Sequence, residues 1–95
     1  MAKVIWSPSA LDDVDRIAEY IARDSPAKAA LFATRLLQSA GRLETFPLSG
    51  RPVPEIGDSS CREIILGAYR VMYRIVGDAV WITGVVHGAR DWQPE

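Results

Sequence analysis

Apolar residues recur at three- and four-residue steps in two successive stretches of the first half of the chain. The positions in the first stretch are Leu11, Val14, Ile17, Ala18 and Ile21. Those in the second stretch are Ala29, Phe32, Ala33, Leu36, Ala40 and Leu43. This spacing brings the apolar side chains of each stretch to one face of an α-helix. The pattern therefore predicts two amphipathic helices, each with one face that can join a core.

Both predicted helices begin with a serine followed by a proline, Ser7 with Pro8 and Ser25 with Pro26. The serine can accept a hydrogen bond from an amide of the first turn, and a proline at the first helical position loses no hydrogen bond. The second helix is expected to end before Pro47, because the residue before a proline is pushed out of helical backbone angles. Since so few residues separate the two helices, they are expected to form an antiparallel hairpin.

Alternating apolar residues in the second half predict three strands joined by tight turns that contain glycine. Their expected bounds are Cys61–Leu66, Tyr69–Val76 and Ala79–His87. A further short strand is predicted within residues 1–6, and residues 47–60, with three prolines and two glycines, are expected to hold no regular element. The order strand, helix, helix, strand, strand, strand predicts an α+β fold with the helical hairpin packed on a mainly antiparallel, twisted sheet.

The composition fits one compact domain over residues 1–95, because 95 residues with 48% hydrophobic content can bury a single core. Cys61 is the only cysteine, which excludes an intramolecular disulfide and a cysteine zinc site. With no secretory leader and no 18-residue apolar run, the expectation is a cytoplasmic protein without a membrane segment. A net charge of −1 argues against binding nucleic acid by charge alone.

Arginines supply nine of the eleven basic residues, and several fall on the predicted strands. Alternation along the middle strand predicts that one set of side chains faces the helices: Tyr69, Val71, Tyr73 and Ile75. Arg70 and Arg74 are then expected on the open face, where Arg62 from the neighbouring strand could join them. The alternative is a solvated sheet face with incidental cross-strand pairs, such as an arginine with Glu63, and the residues alone favour it.

His87 ends the last predicted strand and is the only histidine. A lone histidine is more often a hydrogen-bonded structural residue than a general base. One histidine without a spare cysteine argues against a zinc site, and neither a nucleophile motif nor a glycine-rich phosphate loop is present. The sequence therefore predicts no metal and no cofactor.

Short motifs follow one another in a characteristic order over nearly the whole chain. They are Trp6-Ser7-Pro8-Ser9-Ala10, Leu11-Asp12-Asp13-Val14, Asp24-Ser25-Pro26, Gly50-Arg51, Val53-Pro54-Glu55, Arg62-Glu63, Tyr69-Arg70-Val71, Tyr73-Arg74 and Val86-His87-Gly88-Ala89-Arg90. In this order and spacing the sequence resembles the RelE/ParE superfamily of toxins from bacterial type II toxin–antitoxin systems.

The resemblance implies a growth-inhibiting toxin that a cognate antitoxin neutralises. RelE-like members cleave messenger RNA in the ribosomal A site without a metal, whereas ParE-like members inhibit DNA gyrase. The closing motif at His87 and the loop motifs at Arg51 and Glu55 look more like ParE. The lysine-rich sheet face of RelE is absent, because Lys3 and Lys28 are the only lysines.

The two activities imply different roles for the same residues. A RelE-like nuclease would use a catalytic set of Glu63, Arg70, Arg74 and His87, with Glu55 as another candidate for the glutamate. A ParE-like toxin would have no catalytic residues and would contact its target or its antitoxin through Arg51, Glu55, Arg62, Arg70, Arg74, His87, Arg90 and Trp92. A third possibility is an inactive module that only binds antitoxin.

The resemblance also implies the partners. The expected antitoxin is ParD-like and folds on binding. It would supply the DNA-binding domain, so that operator DNA is contacted only through the antitoxin. The target would be gyrase, or the ribosome and messenger RNA if the chain is RelE-like.

Arg90→Ala tests the ParE-like assignment of the closing motif. We expect this variant to lose toxicity while it still folds and binds antitoxin, because arginine is a common interface anchor. The measurement is growth after induction without antitoxin, at matched protein abundance. Toxicity equal to that of the wild type would refute the role of Arg90.

Overall fold

The computed structural model describes residues 1–88 of the chain. Within this part the elements are β1 (Lys3–Trp6), α1 (Pro8–Asp24), α2 (Pro26–Thr45), β2 (Arg51–Pro52), β3 (Cys61–Leu66), β4 (Tyr69–Val76) and β5 (Ala79–His87). The predicted α+β fold is confirmed, and the three long strands have the predicted bounds. The two-residue strand β2 lies where no regular element was expected, so that prediction was wrong.

The helical hairpin forms where the serine–proline pairs predict it. The Ser7 hydroxyl accepts a hydrogen bond from the Ala10 amide at 3.1 Å, and the Ser25 hydroxyl accepts one from the Lys28 amide at 3.2 Å. Ser25 also donates its own amide to the Ile21 carbonyl, so one residue ends α1 and begins α2. Neither helix of the described part is long and apolar enough to cross a membrane.

The strand order is β1-β5-β4-β3-β2. β1 pairs parallel with β5, and the other neighbouring strands are antiparallel. The sheet is therefore mixed but mainly antiparallel. The position of β1 beside β5 follows from the hairpin, which carries the chain across one face of the sheet before β2 begins at the far edge.

The main core lies between the helices and one face of the sheet. Its buried residues are Ala10, Phe32, Leu36, Ala40, Leu43, Val71, Tyr73, Val80, Ile82 and Val85. Tyr69 and Ile75 pack against this core, so the predicted inward set of β4 is confirmed. The amphipathic faces of both helices supply the rest, as their spacing predicts.

A bulge in β5 decides which of its side chains face the helices. Met72 is opposite Gly84 and Tyr73 is opposite Ile82, which leaves Thr83 as an extra residue in the ladder. Because of this extra residue, Ile82 and Val85 both point into the core although they are three positions apart.

The face of the sheet away from the helices is not uniformly open. Arg70 and Met72 are buried there, and Met72 forms a second small core with Val53 and Cys61. The prediction that Arg70 lies on a solvated face was therefore wrong, because the segment between α2 and β3 folds over this half of the sheet. We call this segment, residues 47–60, the covering loop.

Arg62 also departs from the expected arrangement. It is opposite Tyr73 in the β3–β4 ladder and so lies on the helix side of the sheet, not beside Arg70 and Arg74. Its guanidinium donates to the Gly50 carbonyl at 2.8 Å and, through Nε, to the Ser59 carbonyl at 2.9 Å. Arg62 therefore holds both ends of the covering loop.

Tyr73 fastens the start of the same loop. Its buried hydroxyl donates to the Pro47 carbonyl at 2.7 Å and accepts from the Gly50 amide at 2.9 Å, and burial raises the pKa of this hydroxyl. Gly50 approaches so closely that a Cβ there would lie 2.5 Å from the Glu63 carbonyl oxygen and 2.6 Å from the Tyr73 hydroxyl. Only glycine fits this crossing without a shift of the backbone.

Tyr73→Phe tests the contribution of this hydroxyl to stability. The change leaves a buried amide at Gly50 and the Pro47 carbonyl without their partner, which costs about 1–3 kcal/mol. We therefore expect the free energy of unfolding in urea to fall by about that amount, with the fold retained. The matched control is Tyr20→Phe on the exposed side of α1, which should leave the free energy unchanged; equal losses in both variants would contradict this role of Tyr73.

Candidate functional site

Glu63 is the centre of a buried cluster of charges on the covered half of the sheet. β3 places its side chain beneath the covering loop, where the residue is only 1% exposed. One carboxylate oxygen accepts from Arg51 Nε at 2.7 Å, and the other accepts from Arg70 Nε at 2.8 Å. Both oxygens of Glu63 are thus held by guanidinium groups.

Arg70 joins Glu63 to the covering loop. Two guanidinium nitrogens of Arg70 donate to the two carboxylate oxygens of Glu55, at 2.7 Å and 2.8 Å. This bidentate geometry is the strongest form of an arginine–carboxylate contact. The hydrogen bonds to Glu55, and after them those to Glu63, raise the pKa of Arg70 despite its burial.

We use the name buried charge cluster for four residues: Arg51, Glu55, Glu63 and Arg70. Its two arginines balance its two glutamates, which satisfies the requirement that buried charges be paired. The arginine–Glu63 pair expected from the sequence is present, but it is buried, not solvated. Because Glu63 is enclosed and both of its oxygens are occupied, its geometry suits a structural clamp better than proton transfer.

An open cleft of about 370 Å³ adjoins this cluster. Its lining includes Arg51, Pro54, Glu55, Ile65, Ala68 and Arg70. The Arg51 side chain is 61% exposed here, although its guanidinium also binds Glu63. The cleft therefore presents charges of both signs beside an aliphatic side chain, a mixture that suits contact with another protein.

Arg74 lies on the same face of the sheet as Arg70 but away from the buried charge cluster. Four residues along β4 separate the two arginines by about 13 Å. The Arg74 guanidinium is exposed and lies 3.9 Å from the Asp58 carboxylate. The Asp58 carboxylate accepts hydrogen bonds from the amide and hydroxyl of Ser60, and these lower the pKa of Asp58.

His87 lies on the opposite face of the sheet from Glu63 and Arg70. It is opposite Tyr69 in the ladder, and its ring meets the Tyr69 ring edge-on at 5.8 Å between centroids. Tyr69 in turn contacts Phe32 of α2. The structure therefore brings together Glu63, Arg70, Glu55 and Arg51 but places Arg74 and His87 elsewhere.

The two remaining candidates from the sequence, Arg90 and Trp92, lie outside the described residues. Within residues 1–88 no group of three or more histidine, cysteine, aspartate or glutamate side chains is placed to hold a metal ion. Trp81, which is exposed on the face away from the helices, was missed; the two-residue turn at Gly77-Asp78 was the available signal, because the length of a hairpin turn sets the register that places Trp81 opposite Arg74.

Glu63→Ala tests the buried charge cluster. Removal of this carboxylate leaves the Arg70 charge buried with one partner fewer, and breaking a buried pair in this way costs about 3–5 kcal/mol. Arg51→Ala should cost less, about 1–3 kcal/mol, because it leaves one oxygen of the buried Glu63 without its donor while Glu63 keeps Arg70 as a charge partner. Urea unfolding measures the free energy of unfolding of both variants. An equal loss of free energy in the two would contradict the larger contribution of the buried Glu63 carboxylate.

Comparison with known proteins gives a consistent result. A family described as ParE toxin of type II toxin-antitoxin system, parDE, matches residues 4–92. A Caulobacter vibrioides protein named Toxin RelE2 is 33% identical over 91 residues, which is 95% of this chain and 99% of that protein.

Two solved structures share the fold. A chain of the chromosomal ParDE toxin–antitoxin system from P. aeruginosa has a TM-score of 0.74 at 20% identity, over 92% of this chain and 96% of its own length. A chain of the RelBE2 toxin–antitoxin complex from Mycobacterium tuberculosis has a TM-score of 0.64 at 24% identity, over 90% and 96%. The family match along nearly the whole sequence, with a relative one-third identical over the same length, shows that this chain belongs to the ParE toxin family and is a toxin of the type II toxin–antitoxin class within the RelE/ParE superfamily.

Proposed function

We propose that this toxin stops bacterial growth by binding and inhibiting DNA gyrase, without carrying out bond chemistry of its own. The observation that carries the proposal is the separation of the residues that a RelE-like nuclease would need. Glu63 and Arg70 hold each other in the interior, Arg74 is about 13 Å along the strand from Arg70, and His87 is on the other face.

This separation matters because of what metal-free RNA cleavage requires. A base must reach the 2′-hydroxyl, cations must hold the charge of the transition state, and an acid must protonate the leaving oxygen. These groups have to surround one phosphate at hydrogen-bond distance. A set divided between two faces of a sheet does not meet that condition, whereas an inhibitor that acts by binding has no such requirement.

We further propose that a ParD-like antitoxin neutralises the toxin and folds on binding it. Both solved neighbours come from toxin–antitoxin systems. A suitable surface is a groove of about 350 Å³ between the helical hairpin and the β3–β4 turn. Its lining includes Leu31, Phe32, Leu66 and Tyr69, with the cations of Lys28 and Arg35.

The chemistry of this groove indicates what would occupy it. An amphipathic segment could bury its apolar side chains against Phe32 and Tyr69 while its carboxylates pair with Lys28 and Arg35. His87 packs against Tyr69 beside the groove, so it fits an antitoxin contact better than a catalytic role. Operator DNA would be bound by the antitoxin, and the site of action would be the cytoplasm, where gyrase works.

A supercoiling assay tests the proposal. Toxin freed from its antitoxin is added to purified gyrase and relaxed plasmid, beside toxin to which antitoxin has been restored. We expect loss of supercoiling with accumulation of cleaved DNA, and recovery when antitoxin is added. Unaffected gyrase, from toxin that still stops growth, would contradict the proposal and direct attention to messenger RNA cleavage on the ribosome.

A further inference from the structure

The face of the sheet away from the helices has a half that the covering loop does not bury. It lies over β1, the start of β5 and the end of β4, where Ile5, Trp81 and Arg74 follow one another across the strands. The next row across the same strands is Lys3, Ala79 and Val76. We call these six residues the Trp81 patch.

The Trp81 patch is apolar at its centre and exposed. Trp81 is 38% exposed and Val76 is 54% exposed. On the other half of the same face, Met72 is completely buried beneath Val53 of the covering loop. Exposed apolar patches often mark sites of interaction, and in the described part of the chain this half remains accessible.

Trp81 has the properties of a binding anchor. Tryptophan and arginine are the residues most often found to dominate binding energy at protein interfaces. Within residues 1–88 the indole N–H of Trp81 donates no hydrogen bond, so it can donate one to a partner. Its cross-strand neighbour is Arg74, and the two Cβ atoms of such a pair lie about 5 Å apart.

The rim of the patch carries two exposed cations that are able to bind a partner. Lys3 is exposed at one side and Arg74 at the other. Asp58 does not saturate Arg74, because the carboxylate is 3.9 Å from the guanidinium and its shorter hydrogen bonds are with Ser60. A carboxylate from a partner could therefore approach Arg74 closely.

We propose that the Trp81 patch is the surface by which the toxin docks on gyrase, on an apolar pocket flanked by carboxylates. The inference rests on the proposed function, and it names the part of the toxin that recognises the target. Two cations around an aromatic centre favour an acidic protein surface over a nucleic-acid backbone, which would call for a larger cationic footprint. A second copy of this chain fits less well, because a two-fold contact would bring the same cationic rim against itself.

The test is the affinity of toxin variants for purified gyrase holoenzyme, with affinity for the antitoxin measured in parallel. Trp81→Ser should weaken gyrase binding by about 10- to 100-fold, the effect typical of an interface anchor. Arg74→Glu should slow association and reduce its dependence on salt, since a rim charge acts mainly on the encounter. Both variants should keep the antitoxin affinity of the wild type, which also shows that they are folded.

Leu37→Ser is the matched control. Leu37 is an apolar side chain on α2 that is 66% exposed and lies outside the Trp81 patch. This variant should bind gyrase like the wild type. If it weakens binding as much as Trp81→Ser does, the effect is not specific to the patch and the inference is overturned.

Four other results would overturn the inference. If both patch variants bind gyrase as tightly as the wild type does, the patch is not part of the interface, although gyrase remains the target. An equal loss of antitoxin affinity would assign the patch to the antitoxin, and a wild-type dimer that Trp81→Ser dissociates would assign it to self-association. Failure of the wild-type toxin to bind gyrase would refute the proposed function, and the docking surface with it.

Discussion

The guanidinium of Arg70, buried between Glu55 and Glu63, is the interaction on which the rest of the surface depends. Taking a charge out of water costs several kcal/mol, and the cost is offset only when partners meet the charge in good geometry. Glu63 is supplied by the sheet itself, whereas Glu55 belongs to the covering loop. The charge of Arg70 therefore meets both carboxylates only when the covering loop lies over the sheet. The position of the loop thus depends on keeping this one buried charge paired.

Residues from both faces of the sheet hold the covering loop in place. Arg70 binds it on the face away from the helices, and Tyr73 and Arg62 bind its backbone from the helix side. The loop consequently wraps around the β3 edge of the sheet and buries Met72 beneath Val53. A segment without long secondary structure of its own can be well defined in this way, because its polar groups are satisfied by the strands that it covers.

The sheet itself separates the two proposed binding surfaces. The groove beside Phe32 and Tyr69 lies on the helix side, while the Trp81 patch lies on the other face of the sheet. Antitoxin and target, as we propose them, would thus use separate surfaces of a single small domain. Neutralisation by antitoxin would then require either an antitoxin long enough to reach the patch or steric exclusion of a large target.

The sequence by itself determined the elements and the inner face of the sheet. Spacing of apolar residues and the serine–proline pairs predicted both helices, and alternation predicted the inward side of β4, because these depend on local periodicity. Turn length fixed two further positions, because the two-residue turns at 67–68 and 77–78 set the register that places Arg62 opposite Tyr73 and Trp81 opposite Arg74. Tertiary structure decided the burial of Arg70, over which the covering loop folds, and the face of His87, since the extra residue at Thr83 shifts the alternation beyond Ile82. The course of the loop and the position of the bulge depend on contacts between different segments, which a local pattern of residue types does not record.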